Sequence, residues 1–187
     1  MKFFIFFLTV FLSVCLNAHA EQSFLQNAAG VKLYNIDETE ELDHQEKPDT
    51  WQTRAQEVLV NALSLTGIQY KYGGKSPETG FDCSGFVRYV FSQATNLSLP
   101  PTARAISQIG KTIKKDELQP GDLVFFNTLK SAFSHVGIYM GDNKFIHAPS
   151  TGKTVRVESM KSSYWAKRFS GAQRLDTEVE KTAVTSN

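Results

Sequence analysis

The sequence predicts an α+β domain, with helices first and antiparallel strands after them. Three observations carry this expectation. Apolar residues recur at helical spacing from Trp51 to about Leu65, and again from Cys83 to Ala94. From "LQPGDLVFF" onward the pattern changes to short β-rich runs separated by turns. Two of those runs, "HVGIYM" and "KFIHA", flank "GDN", which reads as a hairpin turn.

The elements follow in order. Lys2 precedes the apolar run "FFIFFLTVFLSV", and "NAHA" ends an A-x-A site at Ala20, so residues 1–20 read as a secretory signal peptide. The run is too short and wrongly flanked for a retained membrane span. Cys15 raises a lipoprotein reading. However, Val14 is bulkier than the small residue a lipobox puts before its cysteine, so cleavage near Ala20 and no stable membrane anchor are expected. Residues 21–49 are polar and acidic, a linker or loosely held arm. Thr50 is the N-cap of a helix over about 51–65, with Trp51, Ala55, Val58, Leu59, Ala62 and Leu63 on its stripe and Gly67 as its stop. Residues 70–80 read as loop. A second helix from Cys83 to Ala94 carries Phe86, Val87, Val90 and Ala94 on one face. Thr102 caps a short third helix that Gly110 can end. The strands follow, including "TVRVESM" and "KRFSGAQRL", and residues 176–187 form a polar tail. The expected domain is 50–175.

Composition is that of an ordinary globular protein: 187 residues, 41% hydrophobic, 21% charged, formal net charge +1. The charge is unevenly placed. Residues 51–175 hold sixteen Lys and Arg against eight Asp and Glu, whereas residues 37–49 hold seven acids and one lysine. A basic domain beside an acidic arm suggests an anionic partner. Nucleic acid is not expected, because the chain is exported and carries no nucleic-acid motif. The arm is most simply a solubilising linker; a weak fold over the basic surface is the alternative.

Export also sharpens the cysteine count. Of two cysteines, Cys15 leaves with the signal, so Cys83 has no internal partner in an oxidising compartment: it is buried, paired between molecules, or a working thiol. The domain keeps two histidines, His135 and His147, one on each arm of the expected hairpin. Side chains alternate on strands, so loop length decides whether the two share a face. Pairing Met140 with Lys144 across a three-residue turn sets Gly137 opposite His147 and puts His135 diagonal to it on the same face. The expectation is therefore an odd loop or a bulge. Cys83 falls in the first turn of a helix that Asp82 can cap, where the dipole and free N–H groups favour thiolate. With an imidazolium partner such a thiol titrates at about 3–4, against about 8.5 when free. His135 would take the thiol proton, His147 would hold its tautomer, and the first helical N–H groups would serve as oxyanion donors. A zinc site built from Cys83, His135 and His147 is the alternative, although no short-spaced pair such as H-x-x-x-H supports it.

"YKYGG", "GFDCSGFVRYVF", "LQPGDLVFF", "SHVGIYMGDNKFIHA" and "FSGAQR", in that order over residues 54–175, resemble the NlpC family of papain-like cell-wall cysteine peptidases. The resemblance implies Cys83 as nucleophile, His135 as base and His147 as the orienting third residue. It also implies Tyr70 beside the nucleophile and oxyanion site, and Asp82 and Ser84 at positions that contact the substrate peptide in some members. Helix capping is the plainer role for Asp82 and Ser84, and Tyr72 is either a groove wall or core. The implied activity is hydrolysis of peptidoglycan stem peptides; a monomer without cofactor is expected, and cleavage near Ala20 would leave it periplasmic or secreted. The single-domain layout points to D-Ala–diaminopimelate cross-links, with the γ-D-Glu–diaminopimelate bond as alternative. A non-catalytic wall-binding module and an acyltransferase or amidase on the same fold are the remaining readings.

Overall fold

A computed structural model describes residues 50–128 and 131–175. The segments expected to be signal peptide, acidic arm and tail, with Cys15, lie outside the described residues, and with them the expectations about cleavage, lipidation and the arm. Helix α1 (Trp51–Ser64) begins where Thr50 Oγ1 accepts the Thr53 N–H at 3.3 Å, and buries Ala55, Val58 and Ala62. Leu63, expected on that stripe, is exposed, because the buried line follows Ala55, Val58 and Ala62. Helix α2 (Cys83–Thr95) buries Phe86, Val87, Val90 and Phe91 and ends on Asn96 in the left-handed region. Helix α3 (Ala103–Ile106) is one turn, capped by Thr102. The stretch read as loop hides a hairpin, β1 (Lys75–Ser76) against β2 (Gly80–Phe81), too short to show periodicity.

The main sheet has six antiparallel strands: β3 (Lys111–Thr112), β4 (Leu123–Phe126), β5 (His135–Gly141), β6 (Lys144–His147), β7 (Arg156–Ser159) and β8 (Phe169–Arg174), ordered β3-β8-β4-β5-β6-β7. A further turn of helix, α4 (Ser163–Ala166), precedes β8 and was not foreseen. All four residues of β4 are buried, because both faces of the sheet are covered. Leu123, Phe125, Val136, Ile138 and Ile146 face α1 and α2 in the larger core. Val124, Phe126, Tyr139 and Phe145 face a second cluster with Trp165 of α4 and Met160. Helix α2 lies across β5, which brings its N-terminal tip to the end of the sheet where β5 starts and β6 stops.

The central hairpin meets the parity requirement by the bulge, the second of the two expected routes, rather than by a three-residue turn. Gly141 pairs with Lys144 around a two-residue turn, Asp142-Asn143, in which both residues have positive φ (51° and 56°), so Met140 does not face Lys144. A register shift between Tyr139 and Gly141 leaves Met140 as the extra residue of a bulge. The pairing of Ile138 with Ile146 then continues to set Gly137 against His147, with His135 diagonal on the same face. Gly137 is needed there for space: a Cβ on it would lie 2.7 Å from Phe145 and 3.2 Å from His147 Cβ.

Candidate active site

The α2 tip is built by Asp82. Its Oδ1 accepts the Gly85 N–H at 2.7 Å, capping the helix, and its Oδ2 accepts the Gly73 N–H at 3.0 Å, tying down the "YGG" loop. Ser84 is buried; its hydroxyl lies 3.0 Å from Asp82 Oδ1 and 3.1 Å from the Pro101 carbonyl. Gly85 packs so closely under the loop that a Cβ would come 2.1 Å from the Gly74 carbonyl oxygen. The D-C-S-G run thus seats the helix start against the glycine loop and leaves Cys83 at the tip. Tyr70 is held beside it by its own N–H, which donates to the Lys153 carbonyl at 2.8 Å.

His135, first in β5, and His147, last in β6, meet at the same end of the sheet. His135 Nε2 and His147 Nδ1 share a hydrogen bond of 2.7 Å. An aromatic cage encloses the pair. Trp165 stacks on His135 at 5.4 Å and stands edge-on to His147 at 5.0 Å, while Phe126 and Phe145 close the remaining sides. The Nε2 bond leaves Nδ1 as the second ring nitrogen of His135. Beyond His147 stands Glu158 of β7, whose Oε2 is 3.8 Å from His147 Nε2 and also accepts the Trp165 indole N–H. The Arg156 guanidinium pairs with its Oε1.

Cys83, His135 and Tyr70 line one cleft of about 420 Å³ together with Lys153, Arg156 and Glu158. Asp82 and Ser84 lie next to this cleft rather than among its lining residues, and Tyr72 is almost wholly exposed. Trp165 and Glu158 line the cleft and were missed from sequence. The available signal for Glu158 was strand alternation, which puts it on the face of the histidines; for Trp165 it was Ser162 as a cap, which accepts the Trp165 N–H.

Burial governs the charges. It pushes the Cys83 thiol up to about 11, against the pull of the Val136, Ser84 and Cys83 N–H groups and with help from the adjacent Asp82 carboxylate. The residue as a whole is only half-buried, so the leading influence is the burial of its sulfur. The expected low thiol titration is therefore not what this environment produces, because burial outweighs the N–H groups that favour thiolate and the adjacent Asp82 carboxylate adds to it. Burial, then the neighbouring His147, lowers His135 to about 3, with Glu158 opposing. Burial lowers His147 as well, Glu158 again opposing. At neutral pH these shifts favour a protonated thiol beside two neutral imidazoles. Tyr70 is raised by burial first and then by Cys83.

Buried neutral histidines make stability pH-dependent. Unfolded histidine titrates at about 6.5. Between there and the depressed folded value the unfolded chain binds more protons, so stability is full above about 6.5 and falls as pH drops toward about 3. Urea midpoints should thus decline between pH 7 and pH 5, and a His135→Gln variant should lose part of that slope; equal slopes in both proteins would contradict the assignment.

A cysteine at a helix tip, sharing a cleft with a buried histidine pair on an antiparallel sheet, defines an α+β thiol–imidazole site. The model of the NlpC/P60 family matches residues 67–174, and the chain belongs to that family. It is 39% identical over 128 residues to murein DD-endopeptidase MepH of Escherichia coli (strain K12), covering 66% of this chain and 47% of that one. It is also 39% identical over 120 residues to the gamma-DL-glutamyl hydrolase of Bacillus subtilis (strain 168), covering 64% and 29%. Among solved structures, an NlpC/P60 family protein from Bacillus cereus ATCC 10987 superposes with a TM-score of 0.60 at 30% identity, covering 64% of this chain and 39% of that one. The chain thus spans less than half the length of these relatives.

Proposed function

We propose that the protein is an extracytoplasmic peptidoglycan endopeptidase acting through Cys83, His135 and His147. The observation that supports this reading is the 2.7 Å bond between His135 Nε2 and His147 Nδ1, which leaves Nδ1 as the second ring nitrogen of a histidine that lines one cleft with Cys83. Cys83 Sγ attacks the carbonyl carbon of a stem peptide bond while its proton passes to His135 Nδ1. The Cys83 N–H, with Tyr70 beside it, receives the developing oxyanion. The imidazolium then protonates the departing amine, and a water activated by His135 releases the acyl group from sulfur. A zinc site would require both histidines to aim lone pairs at one ion; here the facing nitrogens are spent on each other.

The bond first in line is the D-Ala–diaminopimelate cross-link, supported by the similarity to the DD-endopeptidase. The equal identity to the gamma-DL-glutamyl hydrolase favours the γ-D-Glu–diaminopimelate bond as a second reading. Lys153 and Arg156 on the cleft suit carboxylate-bearing stems under either. Purified wall should be digested with wild type and Cys83→Ser and the muropeptides resolved by mass spectrometry. Loss of cross-linked dimers with wild type alone supports the first bond; truncated dipeptide stems support the second. Identical products from both proteins would remove the enzyme reading.

A further inference from the structure

We propose that Glu158 is a positioning residue that ends the Cys83–His135–His147 relay, its carboxylate setting the tautomers of both histidines. The argument starts from what a carboxylate can do. Ionised, it only accepts or attracts protons. Glu158 is held ionised: the facing His147 ring, ahead of the Trp165 indole and Arg156, keeps its carboxyl well below the usual range despite partial burial. At 3.8 Å its Oε2 is at ion-pair rather than hydrogen-bond distance from His147 Nε2, which is fully buried and makes no hydrogen bond among the described residues. A proton on that nitrogen is favoured by the anion it faces, and a lone pair there is repelled.

The rest follows by exclusion along the chain of atoms. With Nε2–H on His147, its Nδ1 is a lone pair and accepts. The 2.7 Å bond then requires His135 to donate from Nε2. His135 Nδ1 is left as a lone pair, the form a base for Cys83 needs. The opposite tautomers would present an N–H to the thiol and leave no base. Glu158 also acts when His135 becomes cationic, since its carboxylate favours a positive charge on that ring. The remaining charged groups facing His147, Arg156 and Lys153, push the other way and make Glu158 the decisive one.

This inference rests on the proposed roles of Cys83, His135 and His147, but its central test does not. In ¹⁵N-labelled full chain at neutral pH, long-range ring spectra should show His147 as Nε2–H; finding Nδ1–H in the wild type overturns the proposal without any variant. Glu158→Gln keeps the shape and an acceptor for Trp165. It should mix the tautomers and lower kcat about 10- to 100-fold with KM little changed, while the urea midpoint reports that the fold is kept. Unchanged tautomers and kcat in Glu158→Gln also overturn it. Activity retained by Cys83→Ser would instead sink the catalytic reading and leave the tautomer result to judge Glu158 alone.

Discussion

His135→Gln is expected to lower kcat on peptidoglycan by about four orders of magnitude while leaving the protein folded. This is about 5 kcal/mol of barrier, and it follows from the burden on one nitrogen. Burial holds the Cys83 thiol protonated, at about 11, so attack requires a base in place at the moment the bond forms. Burial also holds His135 neutral, near 3, so the lone pair is available throughout the neutral range. Glutamine fills much of the imidazole's place and offers an amide to His147, but it cannot take the proton or return it to the leaving amine. His147→Asn should be far milder, about 10- to 100-fold, because an amide can still orient His135. Steady-state rates on purified wall, with near-ultraviolet circular dichroism as the folding control, separate the two. Equal losses at both positions would mean that the pair is structural.

The sequence was informative where local chemistry decides structure, and silent where packing does. Thr50, Asp82 and Thr102 were readable as helix caps because a side chain three residues ahead of an N–H needs nothing else. The shared face of His135 and His147 was readable from alternation alone, although the bulge at Met140 rather than a three-residue turn delivers it. Helix α4 is a single turn and has no period to detect, so Ser162 as a cap was the one local sign of Trp165, and its place over the histidines was not readable. Glu158 was visible only as one acid on a strand; its meaning comes from Trp165 and His147, distant neighbours brought together by the sheet. The thiol was misjudged for the same reason. A dipole can be read from a helix start, whereas the burial that overrides it belongs to the fold.

Asp122→Ala should destabilise the protein by about 3–5 kcal/mol, a large share of the roughly 5–15 kcal/mol that holds a domain folded. Asp122 is wholly buried at the entrance to β4, and Arg174 at the end of β8 grips it with two bonds, Nε to Oδ1 at 2.7 Å and Nη2 to Oδ2 at 2.8 Å. The same carboxylate accepts the Gln119 N–H at 2.8 Å. The same guanidinium donates to the Glu117 carbonyl at 3.3 Å and lies 5.5 Å from the Trp51 ring centre. One ion pair therefore ties two neighbouring strands, the turn before β4 and the start of α1. Removing the acid takes away both charge-assisted bonds and the acceptor of the Gln119 N–H at a wholly buried position, and that combined loss sets the magnitude. The paired replacement Asp122→Leu with Arg174→Met should recover most of the loss, because two apolar side chains leave no charge stranded. It should not recover all of it, since the Gln119 N–H still loses its acceptor. Urea unfolding of the two single variants and the double closes the cycle. A single-variant cost under about 1 kcal/mol, or a double that loses the sum of the two, would show that the pair is a surface-like contact and that the corner of the sheet is held by its apolar packing instead.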